Sequence, residues 1–215
     1  MGIVVSTGSK VPFVPPEVQR EKRRQTRFLM GGGLVLVALG FVALLRLLAF
    51  EGVLITSGSM QPTLYKGDYT LVDHRAAIRG SWSRGDIVVF KPPAGWSGSD
   101  ETLVKRVIGL PGETVTVAGP QVWIGNSLLR ESYLDEGADP DPVKTFKLAP
   151  NQFFVMGDNR NNSDDSRNNG PISESDIKGR ALYLLWPRSR MTRLETPDYG
   201  AAPTAVPTAV QTALR

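Results

Sequence analysis

The 215-residue chain contains no cysteine and a single histidine, His74. The first absence excludes a disulfide framework, a thiolate nucleophile and Cys-ligated zinc or iron–sulfur centres; the second excludes a multi-histidine metal site within one chain. Long amphipathic helical patterns are also missing. Net charge is only +4, and it is local: residues 1–27 hold six basic and two acidic side chains, and the remaining 188 residues balance at 19 of each sign. A neutral remainder offers no basic face along which a phosphate backbone could run, so nucleic acid is not an expected partner.

What the chain does have is one long apolar run. Eighteen uncharged residues, 28–45, are followed by Arg46 and the apolar Leu47–Phe50. At ~1.5 Å per residue the eighteen reach about 27 Å, close to a ~30 Å hydrocarbon core, and Arg46 near one end can snorkel to the headgroups. The expectation is a membrane helix over 28–50, uncleaved because the apolar run exceeds a signal-peptide core and no small-x-small site comes after it. Five basic residues between Arg20 and Arg27 place segment 1–27 in the cytoplasm and put the residues beyond Phe50 on the opposite side of the membrane.

Residues 51–192 read as the folded domain. Short runs rich in β-branched and aromatic residues (YTLVDH, DIVVF, TLVKRVIGL, ETVTV, QVWI, FFVM, ALYLLW) recur between Gly/Pro turns, which predicts a mostly β, antiparallel fold. The stretch 115–151 interrupts the pattern and reads as an inserted smaller β lobe, and 193–215 as a Pro/Ala/Thr-rich flexible tail.

Three segments carry candidate chemistry. ITSGSMQPTL (55–64) is a small-residue turn with two hydroxyls, where Gly58 would let backbone N–H groups approach an oxyanion. LVKRVIGLPGE (103–113) sets Lys105 and Arg106 in an apolar strand: on an edge strand the lysine would face solvent and blunt aggregation, whereas in an interior strand one of the two turns inward, and a desolvated lysine loses charge where a guanidinium does not. MGDNRNNSDDSRNNGPI (156–172) is a dense polar loop. It could be a structured surface loop built on Asx and Ser turns; Asp158, Asp164 and Asp165 could also serve calcium, but their spacing is not that of an EF-hand.

In order and content these segments resemble the type I signal peptidases, bacterial membrane-anchored serine proteases that remove signal peptides from exported preproteins. SGSMxPTL, GDYTLV, KRVIGLPGE and GDNRxNSxDSR carry the resemblance. It implies Ser59 as nucleophile and Lys105 as general base, and an oxyanion hole from the Ser57 hydroxyl and the Ser59 N–H. It places Ser163 beside the lysine amine, makes Asp165 and Arg167 a supporting ion pair, and lines the substrate pockets with Val53, Ile55, Met60, Leu64 and Val104. It further implies no cofactor or metal, preprotein substrates with small residues at −1 and −3, contact with the lipid bilayer, and a single-pass protein of the bacterial cytoplasmic membrane with an extracytoplasmic catalytic domain. Thr56 stands where the family usually has proline. A Ser-His-Asp triad would need His74, at a strand end; serine–lysine is the remaining route. Two other classes stay open: a catalytically silent membrane-anchored binding module, and a Ser-Lys self-cleaving repressor, which would need a DNA-binding helix-turn-helix where this chain has its apolar span.

Overall fold

A computed structural model describes residues 31–33, 35–44, 49–96, 101–134 and 142–199. The chain separates into two compact units, 1–48 and 49–215. In the first, residues 31–33 and 35–44 are helical with exposed side chains. Among the described residues no helix is long and apolar enough to cross a membrane; segment 1–27 and much of the expected span, 28–30, Leu34 and 45–48, lie outside them, and Phe50 opens a strand.

The second unit is built from two antiparallel sheets. The larger comprises β1 (Phe50–Leu54), β2 (Tyr69–Asp73), β3 (Ile87–Phe90), β4 (Leu103–Gly109), β9 (Gln152–Met156), β10 (Ile172–Ser173), β11 (Ile177–Trp186) and β12 (Thr192–Arg193). Their order is β1-β2-β11-β3-β4-β9-β10, with β12 added on β11. The smaller comprises β5 (Thr114–Ala118), β6 (Gln121–Ile124), β7 (Ser127–Leu128) and β8 (Lys144–Lys147), ordered β7-β6-β5-β8. It occupies the region read as an inserted lobe. Two short helices, α1 (Arg75–Arg79) and α2 (Ser166–Asn169), complete the unit.

The central strands read as unbroken apolar runs because both of their faces are covered. On β3, Val88 and Phe90 enter one cluster with Trp96, Val107 and Val155, whereas Ile87 and Val89 enter another with Ile55, Met60, Leu64 and Val72. On β9, Phe153 and Val155 join the first cluster, and Phe154 and Met156 join a third beneath the smaller sheet. Strand β4 lies between β3 and β9. Consecutive strand residues face opposite ways, so Lys105 and Arg106 are both buried, at 4% and 2% exposure. That corrects the expectation that only one of them turns inward.

Residues 193–199, expected in the loose tail, lie along the domain instead. The Leu194 N–H donates to the Leu182 carbonyl at 2.8 Å and its side chain packs on the second cluster. Residues 200–215 fall outside the described residues.

Candidate active site

The turn after β1 is closed by local bonds. The Ile55 N–H donates to the Asp68 carbonyl at 2.8 Å, Gly67 returns a bond to Ile55 at 2.8 Å, and Gln61 N–H reaches the Gly58 carbonyl at 3.2 Å. Met60 (1% exposed) and Leu64 (0%) anchor the turn in the second apolar cluster. Ser59 is thereby presented from a fixed base. At Gly58 the φ is not left-handed, and the nearest atoms a Cβ there would meet are those of the Gln61 side chain at ordinary contact distance. The tight approach is at Gly157, where a Cβ would overlap the Ser59 carbonyl oxygen and Ser163 Oγ.

Lys105 Nζ lies 2.6 Å from Ser59 Oγ, and Ser57 Oγ lies 3.2 Å from Ser59 Oγ. Both members of the Ser59–Lys105 contact are buried. Burial pushes the Lys105 amine below its ordinary value of 10.5; the nearby carboxylates Asp165, Asp164 and Asp158 pull the other way but are outweighed. A hydroxyl bonded to an amine held towards its neutral form is an arrangement in which the amine can take the hydroxyl proton.

The polar loop supports this contact from behind. Asp165 caps α2 by accepting from the Arg167 N–H at 3.1 Å, pairs with Arg167 Nε at 2.9 Å, and takes the Gly157 N–H at 3.0 Å. The pair expected from the sequence thus bears on Gly157, which touches the serine turn. Ser163 lies against Gly157, but its buried Oγ has no hydrogen-bond partner among the described residues, Lys105 included. Val53 and Val104 pack at the margin of the second cluster, Ile55 and Met60 lie within it, and Leu64 is sealed in the core. His74, on the link from β2 to α1, is bound by the Lys178 carbonyl and Glu51, both at 2.8 Å.

Sequence reasoning passed over a second buried group on the opposite face of β4. Arg106 Nε and Nη2 donate to Asp158 at 2.8 and 2.5 Å, and Thr63 Oγ1 donates to the same carboxylate at 2.5 Å. Burial alone would weaken the guanidinium's hold on its proton, but the Asp158 carboxylate more than compensates. The Tyr133 ring lies 4.1 Å from the Arg106 guanidinium carbon, and neighbouring Glu131 forms a two-bond pair with Arg160 at 2.8 and 2.5 Å. The signal available in sequence was Gly-Asp-Asn-Arg itself, four polar or small residues directly after the apolar run Phe153–Met156. Of the three carboxylates weighed for calcium, Asp158 and Asp165 are paired with arginines and Asp164 accepts from Asn169 Nδ2 at 2.6 Å.

A directly bonded, buried serine–lysine pair on an antiparallel β scaffold has the geometry of the class of hydrolytic sites that pair a serine with a lysine. Comparison with known proteins then fixes the family. The profile described as signal peptidase, peptidase S26, matches residues 28–186, and the chain belongs to that family. A signal peptidase I of Leptolyngbya laminosa is 35% identical over 199 residues, covering 88% of this chain and 96% of that protein. The probable signal peptidase I-1 of Synechocystis sp. is 37% identical over 179 residues, 81% of this chain and 91% of that one. Signal peptidase I S of Bacillus subtilis is 34% identical over 170 residues, 74% and 89%.

Proposed function

We propose that this chain is a membrane-anchored serine endopeptidase that removes signal peptides from exported preproteins, with Ser59 as nucleophile and Lys105 as general base. The observation that carries the reading is the 2.6 Å contact between the two buried side chains. Neutral Lys105 Nζ takes the Ser59 hydroxyl proton as Oγ adds to the scissile carbonyl. The oxyanion is met by the Ser59 N–H and the Ser57 hydroxyl, which stands 3.2 Å from the nucleophile. The Lys105 ammonium returns the proton to the departing amine, and water, deprotonated by the same lysine, then releases the acyl group.

The substrate groove is formed by two incomplete strand pairings. β1 pairs only with β2, and β9 pairs with β4 only from Arg106 onwards, leaving one edge of Leu103–Lys105 open. A groove of about 420 Å³ lined by Val53, Leu54, Val89 and Thr102 runs beside them. An extended peptide adds to such edges through main-chain bonds, with alternate side chains entering pockets. In this reading Val53, on the groove wall, and Ile55, Met60 and Val104, which lie in or against the same apolar cluster, supply the apolar pockets for small side chains at −1 and −3. The enzyme sits in the bacterial cytoplasmic membrane through the apolar run that precedes strand β1, N-terminus inside and catalytic unit outside, and meets its substrate in the same bilayer.

The test is processing of an Ala-x-Ala preprotein by the purified full chain. Wild type cleaves, and Ser59→Ala and Lys105→Ala each lower the rate by at least ~10³-fold. Retained processing by either folded variant overturns the assignment. A binding module without catalysis would leave Ser59 unlabelled by a serine-acylating probe.

A further inference from the structure

We infer that Asn159 positions the oxyanion hole, by fixing the two peptide planes that flank Ser59. This rests on the reading of Ser59 as nucleophile. The Asn159 side-chain amide donates to the Gly58 carbonyl at 3.1 Å, and the Asn159 backbone N–H donates to the Ser59 carbonyl at 3.0 Å. The amide orientation is set by chemistry: a carbonyl oxygen only accepts, so the atom facing Gly58 is Nδ2. In a trans peptide the C=O and the next N–H point in opposite directions across one rigid plane. Holding the Gly58 oxygen against Asn159 therefore fixes the Ser59 N–H in the opposite direction, away from the polar loop. A single residue of the polar loop thus sets the direction of the backbone donor on which the tetrahedral intermediate depends.

Asn159 is itself held firmly. Its carbonyl accepts from the Asn162 N–H at 3.0 Å, starting the short 3-10 turn Arg160–Asn162. On one side Asp158 is fixed by Arg106 and Thr63; on the other, Arg160 is fixed by Glu131. The donor to Gly58 therefore sits on a rigid mount rather than on a free loop, which an aimed hydrogen bond requires. Gln61 N–H also reaches the Gly58 oxygen at 3.2 Å, so loss of the Asn159 side chain leaves the turn closed but its peptide plane less constrained.

The test compares the full-length wild type with Asn159→Ala, which removes the side-chain bond without adding charge near Lys105 and keeps the backbone bond to Ser59. Removing one oxyanion donor outright costs roughly 10²–10³-fold in kcat, so misaiming one is expected to cost about 10- to 100-fold. KM stays within about twofold, the acid limb of the pH profile does not move, and the melting midpoint stays within a few degrees. Affinity for a peptide aldehyde falls by the same factor as kcat/KM. That probe adds Ser59 Oγ to its carbonyl carbon, passes the hydroxyl proton to Lys105 and places an oxyanion in the hole, so its binding reports the hole directly. An Asn159→Ala enzyme with wild-type kcat overturns the inference. So does a loss of kcat in which aldehyde affinity is unchanged, or one in which the acid limb shifts, since the defect would then lie at Lys105. A wild-type chain that leaves the preprotein whole overturns the peptidase reading itself, an outcome distinct from an active wild type with an equally active variant.

Discussion

Lys105 pits catalysis against stability within one side chain. Its folded pKa is depressed by burial relative to the unfolded chain. Above the unfolded value the buried amine costs nothing in charging. As pH falls through that value the unfolded chain takes up a proton that the folded one refuses, and stability declines until the folded pKa is passed and both states are charged. Activity and stability should both register this. kcat/KM rises with pH on an acid limb that lies below the ordinary lysine value of 10.5, because only the neutral amine accepts the serine proton; a limb at the ordinary value would refute the desolvated base. Lys105→Met, which keeps the length and removes the charging cost, melts higher than wild type at neutral pH while cleaving nothing. A lower midpoint would mean that the bond to Ser59 outweighs desolvation.

At the scale of elements, β4 explains why the site was only partly legible in the sequence. Its strand character was plain from LVKRVIG, as were the runs of β2, β3, β5, β6, β9 and β11, because period and turn residues are local signals. Pairing is not local: that β4 lies between β3 and β9, and so is covered on both faces, is decided by contacts tens of residues away. Lys105 and Arg106 consequently looked like one buried and one exposed residue. The proximity of Ser59 and Lys105, 46 positions apart, came from family resemblance and not from spacing, and of the loop residues Asp158 read as a possible cation ligand and Asn159 only as polar punctuation. The first strand, Phe50–Leu54, was masked by the apolar run before it, and β8 by its polar KTFK sequence.

The covered second face of β4 makes a sharp prediction. Arg106 and Asp158 are 2% and 0% exposed in their side chains, and removing one partner leaves an uncompensated buried charge. Asp158→Ala is expected to destabilise by about 3–5 kcal/mol, lowering the melting midpoint by roughly 6–20 °C. Arg106→Met together with Asp158→Leu recovers most of that loss, because a buried pair is nearly exchangeable for apolar side chains of similar volume. A thermal melt of the single and double variants decides it; an Asp158→Ala midpoint close to wild type would show that water already reaches the guanidinium.

For the whole molecule, the question is how a modest groove finds a substrate whose signal sequence is itself in the membrane. In the proposed reading the basic lead-in and apolar run anchor the chain in the bilayer, which would raise the effective concentration of enzyme and preprotein without any added pocket contact. The larger sheet carries a surface suited to the same partner. Register sets Leu54 opposite Tyr69 and Tyr69 opposite Trp186, so the three side chains form one row across β1, β2 and β11, exposed at 56%, 41% and 58%. A contiguous exposed row of this kind, two of whose members are aromatics with a polar edge, suits the interface between headgroups and acyl chains. The full chain carrying Trp186→Ala should therefore cleave a short soluble Ala-x-Ala peptide at the wild-type rate and melt within a few degrees of it, since the ring is mostly in solvent. In proteoliposomes it should process a membrane-borne preprotein several-fold more slowly. Equal slowing on both substrates would place Trp186 in the peptide groove instead, and unchanged rates on both would remove the row from lipid contact altogether.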